Sequence, residues 1–247
     1  MEYNRICLML PSYGRSKTYL PAFIKSAIAT ASKPERVCFS FCVNVKDVET
    51  QEFLKGYDFK GHKWEWIPES LPSPNLARYF NILYKLTSFG DPGTVVSMVG
   101  DDMLIETPGW DEKLLNQINY YDGVGVFFCN DDYISRERCA VNLFVTRKMV
   151  EATGRPFMDE SFGAVMIDVV WTEIGRVTKT LHFYPDIIIR HDHNTRKPKD
   201  KWDATFKRLN VLQEQVHAGG GKARAKAIGR EIGDLLLAKG FRGNSIC

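Results

Sequence analysis

Two adjacent carboxylates, Asp101 and Asp102, close the apolar run Thr94-Val-Val-Ser-Met-Val-Gly100. A short β-branched run that stops at a glycine and two acids reads as a buried strand presenting them at its carboxyl end. Ligands of open α/β sheets sit at that end. Neighbouring carboxylates repel, so keeping both ionised at a strand tip calls for a positive group, and a hard divalent cation carrying diphosphate oxygens answers that need. A turn-forming Asp pair is the plainer alternative. Late in the chain, His191 and His193 flank Asp192 where the apolar run Leu181 to Arg190 ends, a further strand tip with polar groups.

The elements that must position these groups follow from apolar spacing. Arg5 to Leu10 reads as a strand broken by Pro11-Ser12-Tyr13-Gly14-Arg15, and Tyr19 to Ala31 has helical spacing. Val37 to Val43 is a second strand, running out at Asn44, and Lys63 to Ile67 a third. Asn75 caps a helix reaching Thr87 that carries Arg78 and Asn81, and the strand with the acid pair follows. Beyond a helix over Trp110 to Tyr120 come strands at Val124 to Cys129 and Val141 to Val145, a helix from Arg147 to Thr153 and a loop with Asp159 and Glu160. A helix over Val165 to Val177 carries Asp168 and Glu173, Leu181 to Arg190 is the last strand, and helices over Trp202 to Val216 and Lys222 to Lys239 end the chain. Strand tips of a largely parallel sheet share one rim, so these distant polar groups are expected to line one cleft.

The chain has 247 residues, enough for one sizeable α/β domain, and no apolar run approaches the roughly 20 residues that cross a bilayer. With no signal-peptide layout, the expected location is cytoplasmic. Six cysteines without Cys-x-x-Cys spacing read as buried thiols. The net charge of +3 hides an asymmetry: from Thr195 onward 12 Lys and Arg face 5 Asp and Glu. A basic end of that kind suits a polyanionic partner, or is simply a solvated face. There is no Gly-x-x-x-x-Gly-Lys loop and no Gly-x-Ser-x-Gly elbow, which argues against P-loop phosphoryl transfer and serine hydrolysis.

The opening Pro-Ser-Tyr-Gly-Arg-Ser, the helix start Asn75-Leu-Ala-Arg78, Gly-Asp-Asp with its Pro-Gly-Trp step, Met158-Asp-Glu, Asp168-Val-Val-Trp171 and the late His-x-His occur in an order that resembles family 2 type glycosyltransferases of the GT-A fold. The resemblance spans roughly residues 5 to 195. It implies a GT-A, Rossmann-like mixed but mainly parallel sheet flanked by helices, with residues 1–195 as catalytic domain and 196–247 as a basic helical C-terminal extension. It further implies a nucleotide-sugar donor, a UDP-sugar first, with Mn²⁺ or Mg²⁺. Pro11, Ser12, Tyr13, Arg15, Asn44, Arg78 and Asp101 would border the nucleotide, and Asp102 with His193 or His191 would bind the metal. Asn44 stands where the family has an aspartate that contacts the base. The acid motif also departs from the pattern, because methionine follows Asp102 where a further acid is usual.

An acceptor hydroxyl must lose its proton in such a transfer. Asp168, an acid among apolar neighbours at a helix start, is the first choice of base, and Asp159 the reserve. Trp110 and Trp171 are candidates to stack on sugar or acceptor. Lys199 and Lys201, within the run from Lys197 to Arg208, and Lys222, Arg224, Lys226 and Arg230 have a density suited to phosphates, so a hydroxylated base in DNA is one acceptor. A bacterial glycan or lipid-linked sugar is the other. A non-catalytic nucleotide- or nucleic-acid-binding module is the rival from a different class.

Overall fold

Strand β1, Arg5–Ser12, shows how one short sequence sets up both faces of the molecule. Ile6, Leu8 and Leu10 enter one apolar core, while Cys7 and Met9 enter another on the opposite side. A strand buried on both faces reads as a continuous apolar run and needs helices on each side. The computed structural model describes residues 2–70, 75–88, 92–133, 135–163, 165–192, 198, 202 and 204–243.

After β1 come α1 (Tyr19–Thr30), β2 (Val37–Asn44), α2 (Val48–Gly56), β3 (Lys63–Glu69), α3 (Leu76–Ser88), β4 (Thr94–Met98) and β5 (Met103–Ile105). The second half contains α4 (Trp110–Tyr120), β6 (Val126–Asn130), β7 (Leu143–Thr146), α5 (Arg147–Thr153), α6 (Ile167–Thr178), β8 (Leu181–His191), α7 (Ala204–Ala218) and α8 (Gly221–Ala238). The strands form one sheet in the order β3-β2-β1-β4-β7-β6-β8-β5. Helices α1 and α4 cover one face with Leu20, Phe23, Ile24, Trp110, Leu114 and Ile118. Residues of α3, α5, α6 and α8, among them Leu83, Met149, Ile174 and Leu236, cover the other. Each fully buried side chain of this size stabilises by roughly 1.5–3 kcal/mol relative to exposure.

The pairing directions decide where the polar tips meet. β3, β2, β1 and β4 are mutually parallel, β7 is antiparallel to both β4 and β6, and β8 is parallel to β6. The carboxyl ends of β1, β2, β3, β4, β6 and β8 therefore point to one rim. Among the described strands, β7 and β5 run the other way.

Two elements escaped the sequence reading. Helix α2 starts at Asp47, whose side chain accepts from the Thr50 amide, but its mixed composition lacks a clear apolar stripe. Strand β5 has three residues, too few to show a period, and pairs antiparallel with the end of β8, Met103 opposite His191 and Ile105 opposite Ile189. β8 lies between β6 and β5, one on each edge, and its register with β6 shifts between Cys129 and Asn130, an irregularity that takes in Pro185. Helix α6 begins at Ile167, two residues later than expected, because Met166 takes a left-handed φ of 70° as its N-cap.

Helix α8, read as part of a basic extension, supplies Ala225, Ile232 and Leu236 to the core. Its small residues at a four-residue spacing, Ala225, Gly229 and Gly233, let it lie close against α6. A Cβ at Gly229 would stand 2.7 Å from both the Glu173 Cβ and the Val170 carbonyl oxygen. The substitution Gly229→Ala is expected to destabilise the protein by about 1–3 kcal/mol, lowering the melting temperature by about 2–4 °C for each kcal/mol. An unchanged thermal melt would mean that α8 is not docked as described.

Candidate active site

Between β4 and β5 the chain turns through Gly100-Asp101-Asp102, and the turn is closed by the Met103 amide donating to the Gly100 carbonyl at 3.2 Å. A Cβ at position 100 would lie 2.5 Å from Asp102 Oδ1, so a side chain there would displace that carboxylate. Pairing of β5 with β8 then fixes the next neighbours. The Asp192 amide donates to the Asp102 carbonyl at 2.8 Å, and the His191 amide to the Asp131 carbonyl at 3.0 Å. His191 Nε2 comes to 3.4 Å from Asp102 Oδ1.

The positive group that the acid pair requires is part of the protein. Arg15 Nη1 pairs with Asp101 Oδ1 and lies 3.3 Å from Asp102 Oδ2, with all three side chains largely buried. Ser12 Oγ donates to Asp101 Oδ2 at 2.7 Å. The guanidinium also lies over the Tyr19 ring, 5.1 Å from its centroid. Its loop is tied to the next strand tip, because the Gly14 amide donates to Asp47 Oδ2 at 2.6 Å. Burial raises the Asp101 carboxyl above the ordinary carboxylate range and the like charge of Asp102 adds to this, while Arg15 and Ser12 oppose it.

Asp168 stands in the first turn of α6. Burial raises its carboxyl, against the Cys139 thiol, backbone N–H groups at the helix start and the charge of His191. The Cys139 Sγ donates to Asp168 Oδ2 at 3.3 Å. Ser12, Arg15, Asp101, Asp102 and His191 thus form one connected strip along the rim, with Asp168 within electrostatic reach of His191. A carboxylate with raised pKa beside a polar cleft is suited to taking a proton.

Other expected residues fall less centrally. Pro11 is half-buried in β1, and Tyr13 is 50% exposed in the loop after it. Asn44 ends β2 and accepts from the Lys46 amide at 3.0 Å, an Asx turn. Arg78 is exposed on α3, whose start Asn75 caps by accepting from the Arg78 amide at 2.9 Å. Asp159 accepts from the Ser161 amide and hydroxyl at 2.9 and 2.6 Å, so it caps the short turn Glu160–Phe162. His193, Lys199 and Lys201 lie outside the described residues.

Both tryptophan expectations are corrected. Trp110 is 0% exposed and packs against Phe144 in the core, so no ring face is left for a sugar. Trp171 is 2% exposed and its Nε1 donates to the Phe157 carbonyl at 2.9 Å. It holds the 157–160 segment on α6. In each case helical spacing marked a core residue. Two cations of the basic run are also engaged within the protein, Arg230 with Glu173 Oε1 at 2.8 Å and Arg224 with Ser161 Oγ at 2.7 Å and the Phe162 ring. Sequence reasoning missed Asp47 and Cys139; the capping spacing Asp47-Val-Glu-Thr50 was a usable signal for the first, whereas nothing local marks the second.

No family model and no curated protein matches the sequence. Solved structures do match the fold. S. aureus TarS 1–349 in complex with UDP superposes with a TM-score of 0.60 at 11% identity, covering 75% of this chain and 59% of that one. The mannosyltransferase PcManGT from Pyrobaculum calidifontis, in complex with GDP-Man and Mn²⁺, gives 0.58 at 12% identity over 98% of this chain and 76% of that one. The chain thus spans about three fifths of the TarS chain it matches. The architecture, a mixed sheet flanked by helices, is that of the GT-A glycosyltransferases.

Removing the guanidinium while keeping its apolar stem, as in Arg15→Met, leaves two carboxylates facing each other in a largely buried turn. The expected loss is about 3–5 kcal/mol at pH 7. With Asp101 raised further, stability is present below its unfolded-state pKa and is lost as pH rises through the folded value, so the deficit shrinks toward pH 4. Urea titrations at the two pH values check this, and an equal deficit at both would contradict the ion network.

Proposed function

We propose that the protein is a nucleotide-sugar-dependent glycosyltransferase whose donor diphosphate lies along the Arg15, Asp101, Asp102 and His191 strip. The observation that carries this reading is the convergence of four strand tips and one buried guanidinium on a single rim, in a fold shared with UDP-bound and GDP-Man-bound proteins. The tips of β1 and β2, with Pro11, Tyr13 and Asn44, supply the nucleoside side. Arg15 orients the diphosphate, and Ser12 holds Asp101 toward ribose or sugar.

The donor set fits a divalent cation that arrives with the diphosphate. Asp102 offers a hard carboxylate and His191 an imidazole within 3.4 Å of it, while no cluster of three His, Cys, Asp or Glu residues forms a complete cage among the described residues. Phosphate oxygens and water would complete its coordination, as suits Mg²⁺ and is accessible to Mn²⁺. When bound, such an ion neutralises charge developing on the leaving diphosphate. Asp168 takes the proton of the attacking hydroxyl as its oxygen bonds to sugar C1 and the C1–diphosphate bond breaks, a direct displacement that inverts the anomeric centre.

For the acceptor, Lys207 and Lys222 are exposed cations of the basic run with which a polyanion can pair. A hydroxylated DNA base is therefore the first acceptor to assay and a glycan or lipid-linked sugar the second. Titration calorimetry with UDP and GDP is expected to show binding that Mn²⁺ strengthens, and Asp102→Asn is expected to remove most of that strengthening. Release of nucleoside diphosphate from UDP-glucose, UDP-GlcNAc or GDP-mannose would accompany it. Binding without any turnover across donors and acceptors would favour a non-catalytic nucleotide module, and absence of nucleotide binding would end the proposal.

A further inference from the structure

In the proposed transfer Asp168 is the base, and the role of its neighbour Cys139 depends on that assignment. A carboxylate at a helix start has a competing attraction. The free backbone N–H groups of the first turn draw it onto the helix as a cap, and the N–H groups of Asp168 and Val169 favour its charged form. A base held only in that way would turn away from an incoming hydroxyl.

We propose that Cys139 is the positioning residue for Asp168, its thiol donating to Oδ2 across 3.3 Å and holding the carboxylate out toward the rim. The segment that carries Cys139 is itself anchored to α6. The Ala140 amide donates to Thr172 Oγ1 at 2.9 Å, and the Thr172 hydroxyl donates to the Asp168 carbonyl at 2.6 Å. That hydroxyl also lies 3.6 Å from the Cys139 Sγ, but its single proton goes to the nearer carbonyl, which leaves the thiol proton for Asp168. Burial, then the nearby Asp168 charge, pushes the thiol far above its ordinary range, so Cys139 keeps that proton at neutral pH. It is a donor there and not a nucleophile.

The assay is donor hydrolysis by the full chain, with UDP-glucose, UDP-GlcNAc and GDP-mannose as probes and water as acceptor. The water oxygen bonds to C1, its proton passes to Asp168, and the electrons of the breaking C1–oxygen bond leave with the nucleoside diphosphate. Cys139→Ala is expected to lower kcat by about tenfold with donor KM unchanged, the order expected when a reacting group leaves its near-attack orientation. Cys139→Ser, which restores an O–H donor, is expected to recover most of the rate. A wild-type kcat in Cys139→Ala, or a Cys139→Ser variant as slow as Cys139→Ala, overturns the positioning role. An Asp168→Asn variant that keeps the wild-type rate overturns instead the reading of Asp168 as base. A second measurement needs no turnover: the infrared S–H band that disappears in Cys139→Ser is expected to move to higher frequency in Asp168→Ala. A band that stays in place shows that the thiol does not donate to this carboxylate.

Discussion

One guanidinium between two adjacent carboxylates governs how this rim is built. Asp101 and Asp102 sit at the tip of a strand buried on both faces, where unpaired charge costs several kcal/mol. Arg15 reaches them from the loop after the neighbouring strand, bonding Asp101 and lying near Asp102. That reach requires β1 beside β4, in parallel and in register, with Met9 opposite Met98. It also requires the 12–15 loop to be held, which Ser12 and the Gly14-to-Asp47 bond achieve.

The same acids are tied to the other half of the sheet. A three-residue strand after the acid pair turns back along β8, and this brings His191 to Asp102. β8 uses its other edge for this pairing, and its end stays beside the chain after β6 through the bond from the His191 amide to the Asp131 carbonyl. The site is thus assembled from two sheet halves, and acidic and basic side chains alternate along the rim: Asp101, Arg15, Asp102, His191. Such alternation suits a ligand that carries both negative phosphate oxygens and hydroxyl groups, since each finds a complementary neighbour.

Much of the fold was legible because its strands are apolar on both faces and its helices have buried stripes; α4 and α5 were read with their observed ends. The acid pair and late histidine were legible as strand ends. What sequence alone did not reveal was a positive charge within the chain, since Arg15 pairs with Asp101 and lies near Asp102. A loop arginine carries no sequence mark of the carboxylate it will meet some 86 residues later. The two tryptophans failed for the opposite reason, since an indole at helical spacing looks the same whether it faces a ligand or a core. Cys139 and Asp47 act through contacts made only after folding, and no periodicity announces them.

The central claim is that this alternating strip is where an activated sugar's diphosphate binds. Crystals grown with UDP or GDP and Mn²⁺, measured at a wavelength where manganese scatters anomalously, test it most directly. The account predicts one anomalous peak within coordination distance of Asp102 and of the diphosphate oxygens, with Arg15 beside the same phosphates. A nucleotide bound elsewhere, with Asp101 and Asp102 untouched, would contradict it.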